Sequence, residues 1–125
     1  MTGNNVVLDS NILIYLSKGE LDFKKLIEGY DSIFISVVSY MEALGFDFKD
    51  EEEKSLIEKL LTSIEIIQTD MEIANSVIIY RKLKKVKTPD AIILATAKKL
   101  NADLLTVNID DFGGLDSSVK IINPF

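Results

Sequence analysis

The feature that most constrains this chain is a set of short apolar runs that do not alternate. Residues 6–8, 33–38, 64–68, 102–107 and 119–122 each read as a strand, and most are continuously apolar. A strand covered on one face alternates apolar and polar side chains. A continuous run fits a strand covered on both faces, as in a parallel sheet. Helical patterns fill the gaps, at 12–17, 23–28, 39–46, 51–63, 71–85 and 89–100. In 51–63 the apolar set Leu56, Ile57, Leu60 and Leu61 forms one stripe, and an acidic run lies at the amino end, where the helix dipole favours it. Strands alternating with helices predict a three-layer α/β fold around a mostly parallel five-stranded sheet. With 125 residues, the expectation is one domain over 1–125.

Composition removes several chemistries. There is no cysteine, so no disulfide, thiolate site or cysteine nucleophile, which fits a cytoplasmic protein. There is no histidine, hence no Ser-His-Asp arrangement and no imidazole metal ligand. No apolar run approaches the roughly 20 residues of a membrane span, and no secretory signal is expected. Any catalysis falls to carboxylates, Lys, Ser, Thr, Tyr or an oxygen-held metal. The net charge of −6 is the wrong sign for a generic nucleic-acid binder. Action on RNA or DNA would need a metal or a local basic patch.

In a parallel sheet the carboxyl ends of all strands share one rim, where ligand sites of open α/β sheets form. Asp9 ends the first strand, and Glu42 lies in the first turn expected after the second. Asp90 opens the helix feeding the fourth strand, and Asp111 follows that strand. Each has a structural reading too. Asp9-Ser10-Asn11 suits a helix cap. "SYME" matches a capping box with Ser39 as cap. Thr88-Pro89-Asp90 suits a helix start, and Asp110-Asp111 a turn before Gly113-Gly114. Four acids on one rim repel each other, and a hard divalent cation relieves that repulsion. Mg²⁺ or Mn²⁺ takes oxygen ligands and activates water. Ser10, Asn11, Thr88 and Thr106 are rim residues able to orient the carboxylates.

At these residues the chain resembles the PIN-domain nucleases, including the VapC-type toxins of toxin–antitoxin pairs. "VVLDSNILIYL", "ISVVSYMEALGF" and "KTPDAIILATAKKLNADLLTVNIDDF" follow the family's four motifs in order, and "IINPF" is also similar. The resemblance implies a PIN-like fold with strand order 3-2-1-4-5. It also implies metal-dependent hydrolysis of RNA by the toxin of a type II pair, a VapB-type antitoxin partner and a homodimer. Asp9, Glu42, Asp90 and Asp111 match the acidic quartet, with Asp110 as the alternative fourth acid. Asn108 matches a supporting position of the last motif. The stripe at 56–61 and the helix around 14–16 are expected to offer apolar surface to the dimer.

"YRKLKKVK" is the one strong positive island, with Arg81, Lys84, Lys85 and Lys87. It reads either as a solvated helix end or as a contact for RNA or antitoxin. Tyr15, Tyr30, Tyr40 and Tyr80 form no stacking array by spacing, and Lys18-Gly19 lacks a phosphate-loop context. Three other readings compete with a toxin nuclease. A PIN-like module could bind RNA or protein without cutting, and a housekeeping RNA-processing nuclease would carry the same acids. A phospho-accepting switch domain wants a Lys after a late strand, and that Lys is missing.

Overall fold

A computed structural model describes residues 4–125. The first strand, β1 (Asn5–Leu8), lies at the centre of the sheet. Its Val6, Val7 and Leu8 are fully buried, with Val7 facing one core and Val6 and Leu8 the other. This two-sided burial is why the run lacks polar alternation. After β1 come α1 (Ser10–Ser17), the single turn α2 (Phe23–Leu26), β2 (Ser32–Ser36) and α3 (Val37–Leu44). Then follow α4 (Glu51–Leu61), β3 (Glu65–Ile67), α5 (Met71–Leu83) and α6 (Thr88–Lys99). The chain closes with β4 (Asp103–Leu105), the one-turn helix α7 (Ile109–Phe112) and β5 (Ile121–Ile122). The order is β3-β2-β1-β4-β5, and every pairing is parallel. The sheet is thus parallel throughout, in the expected order.

Two cores flank the sheet. One joins β1 and β4 to α5 and α6 through Val7, Leu104, Ile73, Tyr80, Ile93 and Leu94. The other joins them to α1, α3 and α4 through Leu8, Leu105, Ile12, Ala43 and Ile57. Tyr80 ties α5 to the segment before β5 through a short hydrogen bond from its hydroxyl to Asp116. Asp70 caps α5 by accepting from the Ile73 N–H at 2.9 Å, and it also pairs with Lys99 at the end of α6.

Several expectations shift. Val37 and Val38 carry strand propensity, yet β2 ends at Ser36 because the Ser36 side chain caps α3, accepting from the Val38 N–H at 3.1 Å. Ser39 is therefore not the cap but a buried residue within the helix. Glu42 moves from the first turn to the second. Likewise α6 starts at Thr88 with Lys87 at the cap position, so Thr88 is not the cap. Strand β4 is shorter than expected, and α7 was not anticipated. Most of the 56–61 stripe faces inward: Ile57 is fully buried, and Leu60, Leu61 and Ile14 pack on the same core, while Leu56 stays exposed. Helix α5 also leaves large apolar side chains in solvent, at Ile78, Ile79 and Leu83.

Candidate active site

Asp9 follows directly on β1 and is the cap residue of α1. The residue is 4% exposed, and both carboxylate oxygens accept hydrogen bonds. Oδ1 accepts from the Ser10 N–H at 2.7 Å. Oδ2 accepts from Thr106 Oγ1 at 2.8 Å and from Asn11 Nδ2 at 3.2 Å. Thr106 itself accepts from the Asn108 N–H at 3.0 Å. Burial raises the proton affinity of Asp9, and the donors Thr106, Ser10 and Asn11 pull it back only in part. The structural reading of Asp9 as a cap and its place in a polar pocket therefore hold together.

Glu42 projects from α3 to the same place, where Oε1 accepts from Ser10 Oγ at 3.0 Å. Asp90 comes from the first turn of α6. Asp111 comes from α7, which is anchored by the fully buried Phe112. Asp9, Glu42, Asp90 and Asp111 line one pocket of about 560 Å³, together with Ser10, Asn11, Lys87 and Asn108. Asp110, the alternative fourth acid, lies outside it in a neighbouring cleft with Arg81, Lys84, Lys85, Lys87 and the other faces of Asp90 and Asp111. Thr88 does not reach the pocket. Lys84 is engaged elsewhere, donating to the Gly113 carbonyl at 2.7 Å.

The electrostatics bind the set together. Asp90 is pushed up to about 6, first by burial and then by Asp9, Asp111 and Glu42, with Lys87 opposing weakly. Among the described residues no Lys or Arg stands within ion-pair distance of any of the four acids. No three of them, among the described residues, converge tightly enough to hold a metal ion between them. The donor set is nonetheless all oxygen, anionic and without a cationic partner. This suits a hard cation bound by one or two carboxylates that keeps most of its waters.

Sequence reasoning missed the pocket's other wall. Ile14 and Tyr15 of α1, Lys18 capping its carboxyl end, Phe46 beyond α3 and Pro89 all line it. Asn11, Ile14, Tyr15 and Lys18 are spaced i, i+3, i+4, i+7, so a helical projection from Asn11 would have shown all four sharing one face.

A parallel α/β domain with four carboxylates in a pocket at its strand ends defines a class, and comparison places the chain within it. The PIN domain model matches residues 6–116, and the chain belongs to the PIN domain family, whose members are typically nucleases that use divalent metals. A toxin–antitoxin complex from Klebsiella pneumoniae contains a chain 31% identical, with a TM-score of 0.79, covering 96% of this chain and 98% of that one. VapBC2 from Rickettsia felis, bound to a DNA fragment from their promoter, matches at 22% identity and a TM-score of 0.75 over 95% and 98% of the two chains. VapBC-5 from Mycobacterium tuberculosis matches at 21% and 0.69, over 95% and 98%. These last two likenesses are of fold. A comparison with curated proteins gives no match. Among the described residues no helix is long and apolar enough to cross a membrane.

Proposed function

We propose that the protein is a metal-dependent endoribonuclease that hydrolyses RNA phosphodiester bonds, the toxin of a type II toxin–antitoxin pair. The observation that carries this reading is the meeting of Asp9, Glu42, Asp90 and Asp111, from four separate elements, in one pocket of a PIN domain. Asp9 and Asp90, with Glu42 and Asp111 beside them, are the residues that would hold Mg²⁺ or Mn²⁺. Such an ion supplies an acidified water for in-line attack and neutralises charge on the phosphate oxygens. The chain's own contribution is placement. Thr106, Asn11 and Ser10 fix the Asp9 carboxylate in one orientation. Ser10 also holds Glu42, so one hydroxyl registers α3 against α1. A carboxylate of the set takes up the attacking water's proton. Lys87 faces the same pocket and meets a phosphate oxygen.

The relatives crystallised as toxin–antitoxin complexes support an antitoxin partner of VapB type. A homodimer belongs to the same reading, supported by the apolar residues that α5 leaves exposed.

The test is cleavage of single-stranded RNA by protein freed of contaminating nucleases. Wild type should cut with Mn²⁺ or Mg²⁺ and stop with chelator. Asp9→Asn should not cut under any condition yet should still bind RNA. Cutting by Asp9→Asn at the wild-type rate overturns the catalytic reading. RNA binding without cutting by the wild type makes the protein a PIN-like binding module.

A further inference from the structure

The pocket at the carboxylates is acidic on one side only. Its other wall is made by Ile14 and Tyr15 of α1, by Lys18 at that helix's carboxyl cap and by Phe46, just past the end of α3. None of these side chains hydrogen-bonds to the four acids. Phe46 keeps 41% of its surface in solvent, but the ring is braced. Phe48 packs edge-on against it with 5.0 Å between centroids, and Lys18 Nζ stands over the Phe46 ring, 5.7 Å from its centroid. Tyr15 is braced in the same way by Phe125, again at 5.0 Å and edge-on. An edge-on neighbour covers at most one face of a ring, and both Phe46 and Tyr15 line the pocket.

A braced aromatic face with a cation beside it, opening on a phosphate-processing floor, is how single-stranded nucleic acid is gripped. The base stacks on the ring, and the cation meets the adjoining phosphate. We propose that this wall is a subsite for an unpaired nucleobase beside the scissile phosphate, stacked on Phe46, with Lys18 contacting that nucleotide's phosphate. The proposal rests on the endoribonuclease reading and deepens it by naming the residues that hold one nucleotide of the substrate. A base inside a duplex has both faces covered by its neighbours and cannot stack on Phe46. An apolar side chain from a protein partner fits the wall less well. It would cover Phe46 while leaving Lys18 desolvated without a counter-charge, whereas one nucleotide supplies both a ring and an anion. The need for cations around the pocket is real, since the chain carries −6 overall and its floor repels a polyanion. Lys18 on the α1 side and Lys87 on the α6 side give the strand a positive group on each flank.

The test uses single-stranded oligoribonucleotides with one abasic nucleotide walked through the positions around the cut, cleaved with Mn²⁺. For the wild type, one abasic position should raise KM roughly tenfold, with kcat little changed, because the stacking it removes is made equally in ground and transition states. Phe46→Ala should raise KM on intact RNA by a similar factor and lose its sensitivity to that one abasic position. Phe46→Trp should restore both. Lys18→Gln should reduce the slope of log KM against log salt by about 0.7, one single-strand phosphate contact. Identical abasic profiles for wild type and Phe46→Ala overturn the subsite and leave the endoribonuclease reading standing. Failure of the wild type to bind or cut RNA overturns that reading and the subsite with it. A Phe46→Ala variant with unchanged RNA kinetics but weakened affinity for an antitoxin assigns the wall to a protein partner and also overturns it.

Discussion

Thr106 Oγ1 donates to Asp9 Oδ2 at 2.8 Å, a buried hydrogen bond between residues 97 positions apart. It joins the ends of two adjacent parallel strands, since the Asp9 N–H also donates to the Leu105 carbonyl at 3.0 Å. The first and fourth strands are thus sewn together at the point where strand order reverses, the location at which open α/β sheets place their ligands. One threonine both closes the sheet and aims the carboxylate.

Thr106→Val tests that double role. The change keeps shape and removes the donor to Asp9 and the acceptor for the Asn108 N–H. Mn²⁺ affinity by calorimetry should fall roughly 10- to 100-fold, the usual effect of losing an orienting partner of a metal ligand. Thr106→Ser should retain most of it. Equal affinities for wild type and Thr106→Val would show that Asp9 needs no such support.

Ser39 offers a stability prediction of opposite sign. Its Oγ is the one buried side-chain polar atom without a partner among the described residues. Ser39→Ala removes an unsatisfied hydroxyl and favours the helix. Stability in urea should hold or rise by about 1 kcal/mol. A loss of that size would show that the hydroxyl is satisfied in solution.

The origin of these features explains what could be read from the chain alone. The central strand declared itself because Val6, Val7 and Leu8 are each buried, on alternating faces. The rim positions of Asp9 and Asp90 followed from topology, which depends on element order and tolerates errors of one or two residues at boundaries. What failed was local competition. Val37 and Val38 favour strand and Ser39 favours a cap, but the Ser36 side chain was already bonded to the Val38 N–H. Helix α7 was invisible because a single turn has no period to detect. It exists because Phe112 is buried against the α5 and α6 core. The inward turn of Leu60 and Leu61 depends on how α4 docks on α1, a tertiary fact with no local signal.

Helix α5 carries the dimer prediction. Ile78, Ile79 and Leu83 are 52%, 55% and 67% exposed on neighbouring turns, an apolar group of the kind that marks contact surfaces when contiguous. Ile79→Glu should shift sedimentation toward monomer at micromolar protein while leaving the circular dichroism of the fold unchanged. The corresponding change at Ile57 should unfold the chain instead, because that residue is fully buried. A wild type that is monomeric at high concentration would remove α5 from the dimer argument.

The basic residues after α5 carry a prediction about affinity alone. Arg81 and Lys85 line the cleft that abuts Asp90 and Asp111, whereas Lys84 is held by the Gly113 carbonyl. Arg81→Gln with Lys85→Gln should weaken RNA binding and flatten its salt dependence by about 0.7 for each phosphate no longer neutralised. Turnover at saturating RNA should stay near normal. Unchanged affinity and slope would identify "YRKLKKVK" as a solvated helix end.

Asp90 provides the pH prediction. Burial and its three acidic neighbours lift its folded pKa to about 6, against 3.8 for the ordinary group. The folded state therefore binds this proton more tightly than the unfolded state does. By linkage, Asp90's contribution makes the metal-free protein lose stability as pH rises from 3.8 to about 6, and the loss persists above. The side chain is only half-buried, so solvent screening reduces the effect to roughly 1 kcal/mol. In chelator at about pH 7.5, Asp90→Asn should be more stable than wild type by that amount, since the amide carries no charge to repel. The gap should shrink at about pH 4.5, where wild-type Asp90 is protonated. Saturating Mg²⁺ should reverse the order at neutral pH, because only wild type presents the full anionic set, and a ligand that binds the folded state stabilises it by mass action. Urea titrations of both proteins, with chelator and with Mg²⁺, give the four comparisons. A wild type more stable than Asp90→Asn in chelator at neutral pH would show that the four carboxylates do not strain one another, and would remove the electrostatic case for a cation among them.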